Sequence, residues 1–398
     1  MSVRVAYVCA DAGIPVFGST GASVHVQEVI RALLGRGARV TLFAARTGGQ
    51  PPEGLEGVTV YDLPSPAKGE RAERERAAFE ANGRVGEILS QAGPFDMVYE
   101  RYSLWSYAGM EYAREQGIPG LLEVNAPLIE EQAEHRGLVH RELAEEVANR
   151  AFGAATALLA VSREVAAYLD RFPTAQGRVH VVPNGVNPGR FEGVGGSRNG
   201  KIDSAFTVGF VGTLKPWHGL PVLVEAFDLL CQRTQGARLL VVGEGPERET
   251  MQAELERRGL LHQARFTGAV PPHEVPQLLA EMDVAVAPYP ERADFYFSPL
   301  KVYEYMAAGL PVVASRIGQL EDVIEHEANG LLCPPGDAEA LAGALDGLRQ
   351  DAGLRARLGQ EARRSVFKGH TWDSVAARIL EIAGTKQVLS GVMERVGS

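Results

Sequence analysis

The stretch Tyr296-Phe297-Ser298-Pro299-Leu300-Lys301-Val302-Tyr303-Glu304-Tyr305-Met306-Ala307-Ala308-Gly309 reads as a loop running into a short helix. Ser298 suits the helix cap, and Pro299, with its preset φ, suits the first helical position. Free N–H groups at such a helix start, with the helix dipole behind them, offer a seat to phosphate. Glu304 stands six residues after Ser298, roughly 9 Å along the axis at ~1.5 Å per residue. A carboxylate at that remove suits the two hydroxyls of a ribose, a task acidic side chains perform in dinucleotide sites. An incidental, solvated glutamate fits the same spacing. Gly309 is placed to end the helix, and Pro311-Val312-Val313-Ala314 then reads as a buried strand.

Other junctions carry similar chemistry. Gly13 to His25 is long for a strand-to-helix connection, and long loops tend to be functional. In it Gly18 and Gly21 would let backbone approach a ligand, and His25 falls in the first helical turn, either as a functional group or as a surface histidine. Gly212-Thr213-Leu214-Lys215-Pro216-Trp217-His218-Gly219 follows an apolar run. There Lys215 could neutralise a diphosphate, and His218 could join it when protonated or donate a hydrogen bond when neutral. A surface lysine and a capping histidine are the structural alternative. Val242-Gly243-Glu244-Gly245-Pro246 is a third such junction. None completes GxxxxGK[ST] or GxGxxG, which weakens P-loop and dinucleotide readings. Tyr99-Glu100-Arg101-Tyr102 and Glu123-Val124-Asn125 also follow strands, and suit either a hydroxyl-rich substrate or structural salt bridges.

These loops need a scaffold of alternating strands and helices, and the chain supplies one. Strands are expected at Val3–Cys9, Arg39–Ala44, Val58–Leu63, Asp96–Tyr99, Gly120–Val124 and Leu158–Val161. A second series covers Ala205–Val211, Arg238–Val242, Ala264–Thr267, Val284–Ala287 and Pro311–Ala314. Val26, Val29, Ile30, Leu33 and Leu34 mark one face of a first helix, stopped by Gly35 and Gly37. The charged run Glu70–Glu80 reads as a solvated helix face. Thr371–Gly384 reads as an amphipathic helix with Trp372, Val375, Ile379 and Ile382 on its apolar side. The expected domains are 1–192 and 205–370, joined by a glycine-rich linker at 193–204, with 371–398 returning to the first domain. Two α/β domains of that kind would enclose a cleft lined by loops at strand C-termini.

Composition narrows the class. With 398 residues, 45% hydrophobic and 23% charged, the chain has material for two cores. A net charge of −10 without a long basic run argues against a general nucleic-acid binder. Cys9, Cys231 and Cys333 are scattered, without a CxxC pair or Cys/His cluster, so neither a disulfide framework nor a metal site is expected. Arg4 interrupts the first apolar run, and no run approaches ~18 apolar residues. The expectation is a cytoplasmic chain without a signal peptide or membrane span; peripheral membrane contact is left open, as is oligomeric state.

In combined order and spacing these segments resemble the GT4 family of retaining GT-B glycosyltransferases over essentially the whole chain. The resemblance rests on the Gly18–Gly21 loop, Val182-Pro183-Asn184-Gly185-Val186, the Gly212–Gly219 loop, Val242-Gly243-Glu244-Gly245-Pro246, Ser298–Gly309, Asn329-Gly330-Leu331-Leu332 and Pro335-Gly336-Asp337. It implies two Rossmann-like parallel-sheet domains facing each other across a cleft, with the last helix crossing back to the first domain. It also implies a nucleotide-diphosphate sugar held by the second domain through Gly212, Thr213, Lys215, His218, Gly243, Val270, Tyr296, Phe297, Ser298, Pro299, Leu300 and Glu304, with Gly18 and Gly21 approaching its phosphates. Glu304 matches the family's ribose-binding glutamate. The chain also departs from the pattern: Thr213 stands for the family's arginine, His218 for its lysine, Tyr296 for its other glutamate and Asn125 for its first-domain histidine.

The activity implied is transfer of a hexose-type sugar, with UDP favoured over GDP, to a hydroxyl or amine with retention of configuration. Lys215, His218, Asn125 and His25 are the candidate catalytic residues, no cofactor or metal is expected, and nucleic acid is not an expected partner. A nucleotide-sugar epimerase of the same build, or a non-catalytic partner subunit that binds nucleotide sugar, are the alternatives.

Overall fold

A computed structural model describes residues 2–65, 69–193, 205–292 and 295–384. It divides into two compact units, Met1–Asn184 with Trp372–Ser398, and Gly185–Thr371. The first has strands β1 (Arg4–Cys9), β2 (Arg39–Ala44), β3 (Thr59–Asp62), β4 (Met97–Arg101), β5 (Gly120–Val124), β6 (Ala157–Ala160) and β7 (Val179–Val181). They form one parallel sheet in the order β3-β2-β1-β4-β5-β6-β7. The second has β8 (Phe206–Val211), β9 (Ala237–Val242), β10 (Ala264–Phe266), β11 (Val284–Ala287), β12 (Val312–Ser315) and β13 (Leu331–Cys333). These are also parallel, in the order β10-β9-β8-β11-β12-β13.

Side-chain alternation explains why the second sheet is covered on both faces. Val284 and Val286 of β11 and Val313 of β12 enter one core with Phe210, Leu223, Phe227 and Leu345. Ala285, Ala287, Val312 and Ala314, their neighbours in sequence, enter the other core with Tyr303, Met306 and Val366. Strands buried on both faces read as continuous apolar runs, which is why most were legible. β7 and β13, each of three residues and neither fully buried, were not expected, whereas β10, equally short, was.

The division falls before the expected boundary at 192. Residues 185–192 belong with the second unit: Val186 N–H donates to His370 O at 2.9 Å and Arg363 Nη2 donates to Phe191 O at 3.1 Å. Phe191 is fully buried in the second unit's core. Residues 194–204 of the expected linker and 385–398 of the tail lie outside the described residues.

The helix Trp372–Ile382 packs on the helix Gly21–Gly35 of the first unit. Arg36 Nη2 meets Asp373 Oδ2 at 2.7 Å, and the Trp372 ring stands edge-on to His25 at 5.0 Å. Its buried face is Trp372, Ala376, Ile379 and Leu380; Val375 and Ile382 are only half-buried, so the apolar stripe is rotated from the one expected. The charged helix Arg71–Glu80 is largely exposed, with a correction at Glu75. That carboxylate is buried because it accepts the N–H groups of Val139 and His140, the latter at 2.7 Å. Among the described residues no helix is long and apolar enough to cross a membrane.

Truncating Trp372 to Ala removes the largest side chain of the returning helix and should cost about 3–5 kcal/mol. A heat scan should show a clearly lower apparent Tm for this variant, whereas Val375→Ala, on the half-buried edge, should shift it little.

Candidate functional site

In each sheet the strand order reverses once, between β1 and β4 and between β8 and β11. The loops leaving the strand C-termini there diverge to opposite faces and leave a crevice where α/β folds gather polar chemistry. In the second unit those loops are Gly212–Gly219 after β8 and, after β11, the described residues 288–292 and 295–299. They meet backbone to backbone. Gly219 has φ 68°, and a Cβ there would lie 1.6 Å from Pro288 O, so no side chain fits. Gly243, φ 139°, is pressed likewise against Gly212, whose carbonyl oxygen would lie 2.0 Å from an added Cβ.

This packing sets the candidate cations. Lys215 is half-buried with its ammonium 5.6 Å from the centre of the Trp217 ring. His218 Nδ1 lies 2.5 Å from Thr213 O. A carbonyl only accepts, so Nδ1 carries the hydrogen and Nε2 of the neutral ring is left as an acceptor. Burial, helped by the nearby charges of Lys301 and Lys215, pushes the ring down to about 3. His218 is therefore neutral at physiological pH, and the expectation that it could serve as a cation is corrected. Thr213 is exposed, and Val270 and Phe297 pack half-buried against the core that holds Tyr289 and Phe295.

The helix is observed at Leu300–Ala307, with Pro299 as its cap and no side-chain cap bond. Ser298 was expected to cap it and Pro299 to begin it; both sit one place earlier, and the Ser298 side chain is in hydrogen-bond contact with Tyr303. Leu300 is thus the first helical residue, and Tyr296 lies against Phe297, ring centres 4.5 Å apart. The other end closes as read: Gly309 N–H donates to Met306 O at 3.0 Å and Leu310 N–H to Tyr305 O at 3.1 Å, both characteristic of a left-handed glycine stop.

Glu304 is not an incidental solvated glutamate. Its Oε1 lies 2.7 Å from Arg190 Nη1, with side-chain exposures of 18% and 17%. Arg190 Nη2 also donates to Pro272 O at 2.7 Å. Arg190 was missed in the sequence because it lies more than a hundred residues from Glu304, in a single 3-10 turn, Pro188–Phe191, just after the Val182–Val186 motif. Lys301 was missed too, since a lysine in a helical first turn reads as a solvent cation; its ammonium is in fact buried.

The first unit holds a different cluster at its own point of strand reversal. His25 is 2% exposed, so neither a surface histidine nor an open first-turn group describes it. Its Nε2 lies 2.5 Å from Glu123 Oε1, Arg101 Nη1 lies 3.7 Å from Glu123 Oε2, and Arg101 Nη1 donates to Asn125 Oδ1 at 2.7 Å. Burial would raise the Glu123 carboxyl, but His25, Arg101 and Asn125 together outweigh it and hold it below its ordinary value. Glu100 is fully buried; burial pushes it up to about 7 despite hydrogen bonds from Ser106 and the Met110 N–H. Of the two readings of these strand ends, the salt-bridged one describes the contacts present. Gln27 Nε2 ties the preceding loop together through Val16 O and Gly18 O, at 2.9 and 2.8 Å. Gly18 folds back onto Pro15, whereas a Cβ on Gly21 would meet nothing within 4 Å. Among the described residues no group of His, Cys, Asp or Glu could hold a metal ion.

Two parallel sheets of 3-2-1-4-5-6 order, each with a glycine-bearing loop at its reversal, define the GT-B class of glycosyltransferase folds. The family model described as Glycosyltransferase Family 4 matches residues 19–190, and the one described as Glycosyl transferases group 1 matches residues 205–351. A D-inositol 3-phosphate glycosyltransferase of Xylanimonas cellulosilytica is 32% identical, over 91% of each chain. Among solved structures, sucrose-phosphate synthase from Thermosynechococcus elongatus superposes with TM-score 0.76 at 20% identity, covering 96% of this chain and 98% of that one. Anabaena HepE in complex with UDP gives 0.70 at 21% identity, covering 97% and 100%. The chain belongs to the GT4 family of glycosyltransferases.

The Glu123 cluster makes a pH-dependent prediction. A carboxyl held below its ordinary 4.5 contributes stability that is present above that pH and is lost as pH falls through the folded value. Glu123→Gln should therefore cost about 3–5 kcal/mol at pH 7 by stranding Arg101. Unfolding scans of variant and wild type should converge as the pH is lowered below about 4.

Proposed function

We propose that the chain transfers a hexose-type sugar, with retention, from a UDP-sugar seated at the β8/β11 reversal of the second unit to a hydroxyl of a phosphate-bearing acceptor. The observation that carries the donor half is Glu304, paired with and oriented by Arg190 beside the helix start at Leu300. Glu304 receives the ribose hydroxyls, and the uncapped N–H groups of the helix face the diphosphate. UDP is favoured because the structurally similar HepE is a UDP complex. Thr213, Tyr296 and the backbone at Phe297 and Ser298 are left to orient the sugar.

In the reaction, the acceptor oxygen bonds to the anomeric carbon on the face from which the diphosphate departs. The carbon–oxygen bond to the β-phosphate breaks, and that phosphate takes the acceptor proton. Positive charge grows on the sugar and negative charge on the leaving group, so cations and amide dipoles preorganised at the phosphates lower the barrier. Lys215 is one of these groups. No metal is needed in this reading.

The acceptor half draws on the first unit and on relatives whose names specify an inositol phosphate. A recess of about 370 Å³ lies among the ends of β1, β3 and β4 and is lined by Arg71, Arg74 and Arg136, with Asn82 and Trp105. Guanidinium groups match phosphate geometry bidentately. Asp11 and Glu131 in the same wall suit sugar-like hydroxyls.

Thermal stabilisation by a panel of UDP, GDP, ADP and their sugars tests the donor; UDP compounds should raise Tm, and a response to GDP alone would reassign the base. NMR of the product should show the donor's anomeric configuration. Arg71→Ala with Arg74→Ala should raise the acceptor KM on the order of 10–100-fold at unchanged donor KM. Sugar conversion without any acceptor would instead identify an epimerase, and nucleotide binding without transfer a partner subunit.

A further inference from the structure

The second unit contains one buried ammonium that nothing assigned above uses. Lys301, from the first turn of the helix Leu300–Ala307, has its Nζ buried without a hydrogen-bond partner. The ammonium sits 4.4 Å from the centre of the Phe210 ring and 5.3 Å from that of Tyr289. Phe210 belongs to β8, and Tyr289 follows β11, so Lys301 stands between the two strands where the order reverses. It also abuts the glycine loop: a Cβ on Gly212 would lie 3.2 Å from Lys301 Nζ. The titratable groups facing it are His218 of that loop and Tyr289; among the described residues no carboxylate pairs with it.

Ring faces compensate an ammonium only in part, and a buried charge without a counter-ion is costly. A residue placed so is either a misfit or a site awaiting an anion. The neighbouring loop resolves which. It lacks a guanidinium, since position 213 is Thr, and its His218 is neutral. The one formal cation it contributes, Lys215, is packed beside Trp217.

Resting on the donor reading above, we infer that Lys301 reaches through the glycine gap at Gly212 to bind the donor's diphosphate, supplying from the helix the charge that the loop lacks. Gly212 then has a reason beyond backbone conformation: any side chain there would meet the lysine's path. The helix contributes twice to one ligand, Lys301 to the diphosphate and Glu304, one turn further on, to the ribose.

The titration of Lys301 gives this a distinctive readout. Burial lowers the ammonium from 10.5 to about 7. A diphosphate bound against it restores the charged form, so binding above pH 7 must take up a proton. In the ligand-free protein the same shift works against stability: between those two pH values the folded chain holds fewer protons than the unfolded one, so stability rises with pH through that window.

The experiment is calorimetric titration of the full chain with UDP at pH 8 in two buffers of different ionisation enthalpy, beside uridine binding followed by ligand-observed NMR. Wild type should take up about one proton per UDP. Lys301→Met should abolish the uptake and weaken UDP on the order of 10–100-fold, while uridine binding, which reports an intact ribose pocket, is unchanged. Lys301→Arg should restore most of the UDP affinity without proton uptake. Ligand-free Lys301→Met should also match or exceed the wild-type Tm at pH 6–7, with the difference fading toward pH 10. The inference is overturned if Lys301→Met binds UDP as tightly as wild type, if it loses uridine in the same proportion, or if wild type binds UDP without proton uptake. In each case UDP binding by wild type leaves the donor reading standing; failure of wild type to bind UDP or GDP overturns both.

Discussion

A parallel sheet buried on both faces confines polar chemistry to strand ends, and the reversal of strand order selects which end loops can part. Everything distinctive here follows from that constraint. Val284 to Ala287 and Val312 to Ala314 face apolar cores on alternate sides, so neither strand can present a functional group along its length. Chemistry appears where β8 and β11 end, and where β1, β4 and β5 end. The tight glycines belong to the same constraint: Gly219 against Pro288 and Gly243 against Gly212 hold diverging loops close enough for one ligand to span them.

The two units use these positions differently, and charge balance distinguishes them. In the first unit His25 and Arg101 compensate the charge of Glu123, and Arg101 also donates to Asn125, although His25 Nε2, Glu123 Oε2 and Asn125 Nδ2 make no hydrogen bond. Such a cluster fixes the geometry of three elements: the first helix, β4 and β5. Trp372 covers His25, so the returning helix is tied to the same point. In the second unit the balance is incomplete. Arg190 compensates Glu304, but Lys301 has only ring faces and His218 has surrendered its charge. A charge-compensated cluster has no need of a ligand; a buried cation without a counter-ion is stabilised by one.

The scaffold was legible in the sequence because period and punctuation agree: apolar runs of four to six residues bounded by Gly, Pro and Asn define most strands, and β2, β5 and β11 coincide with their expected bounds. Three-residue strands were read unevenly: β10 was expected, but β7 and β13 were not. Glu304 was singled out by its distance to a helix start, but its pairing with Arg190 was not foreseen. Arg190 and Lys301 were not, for opposite reasons. Arg190 pairs across a sequence separation that no local pattern encodes. Lys301 sits in the most informative segment of the chain, yet only the fold places Phe210 and Tyr289 over it. Helical spacing alone could not decide between His25 as a surface group and as a buried one, and tertiary packing under Trp372 decided it.

The helix Leu300–Ala307 shows how a short element can be both precise and unstable in isolation. Eight residues are too few to be helical alone, since isolated helices shorter than ~12–15 residues are marginal in water. Tertiary contacts must hold this one. Tyr303, Tyr305 and Met306 are fully buried, Tyr305 Oη accepts the Val211 N–H at 2.7 Å, and the Gly309 stop ends the helix directly before β12. Val211 is the last residue of β8 and Gly212 the next, so the helix is pinned to the strand end whose loop it serves. Lys301 and Glu304 therefore ride on an element fixed by Tyr303, Tyr305 and Met306 and by the Tyr305–Val211 hydrogen bond.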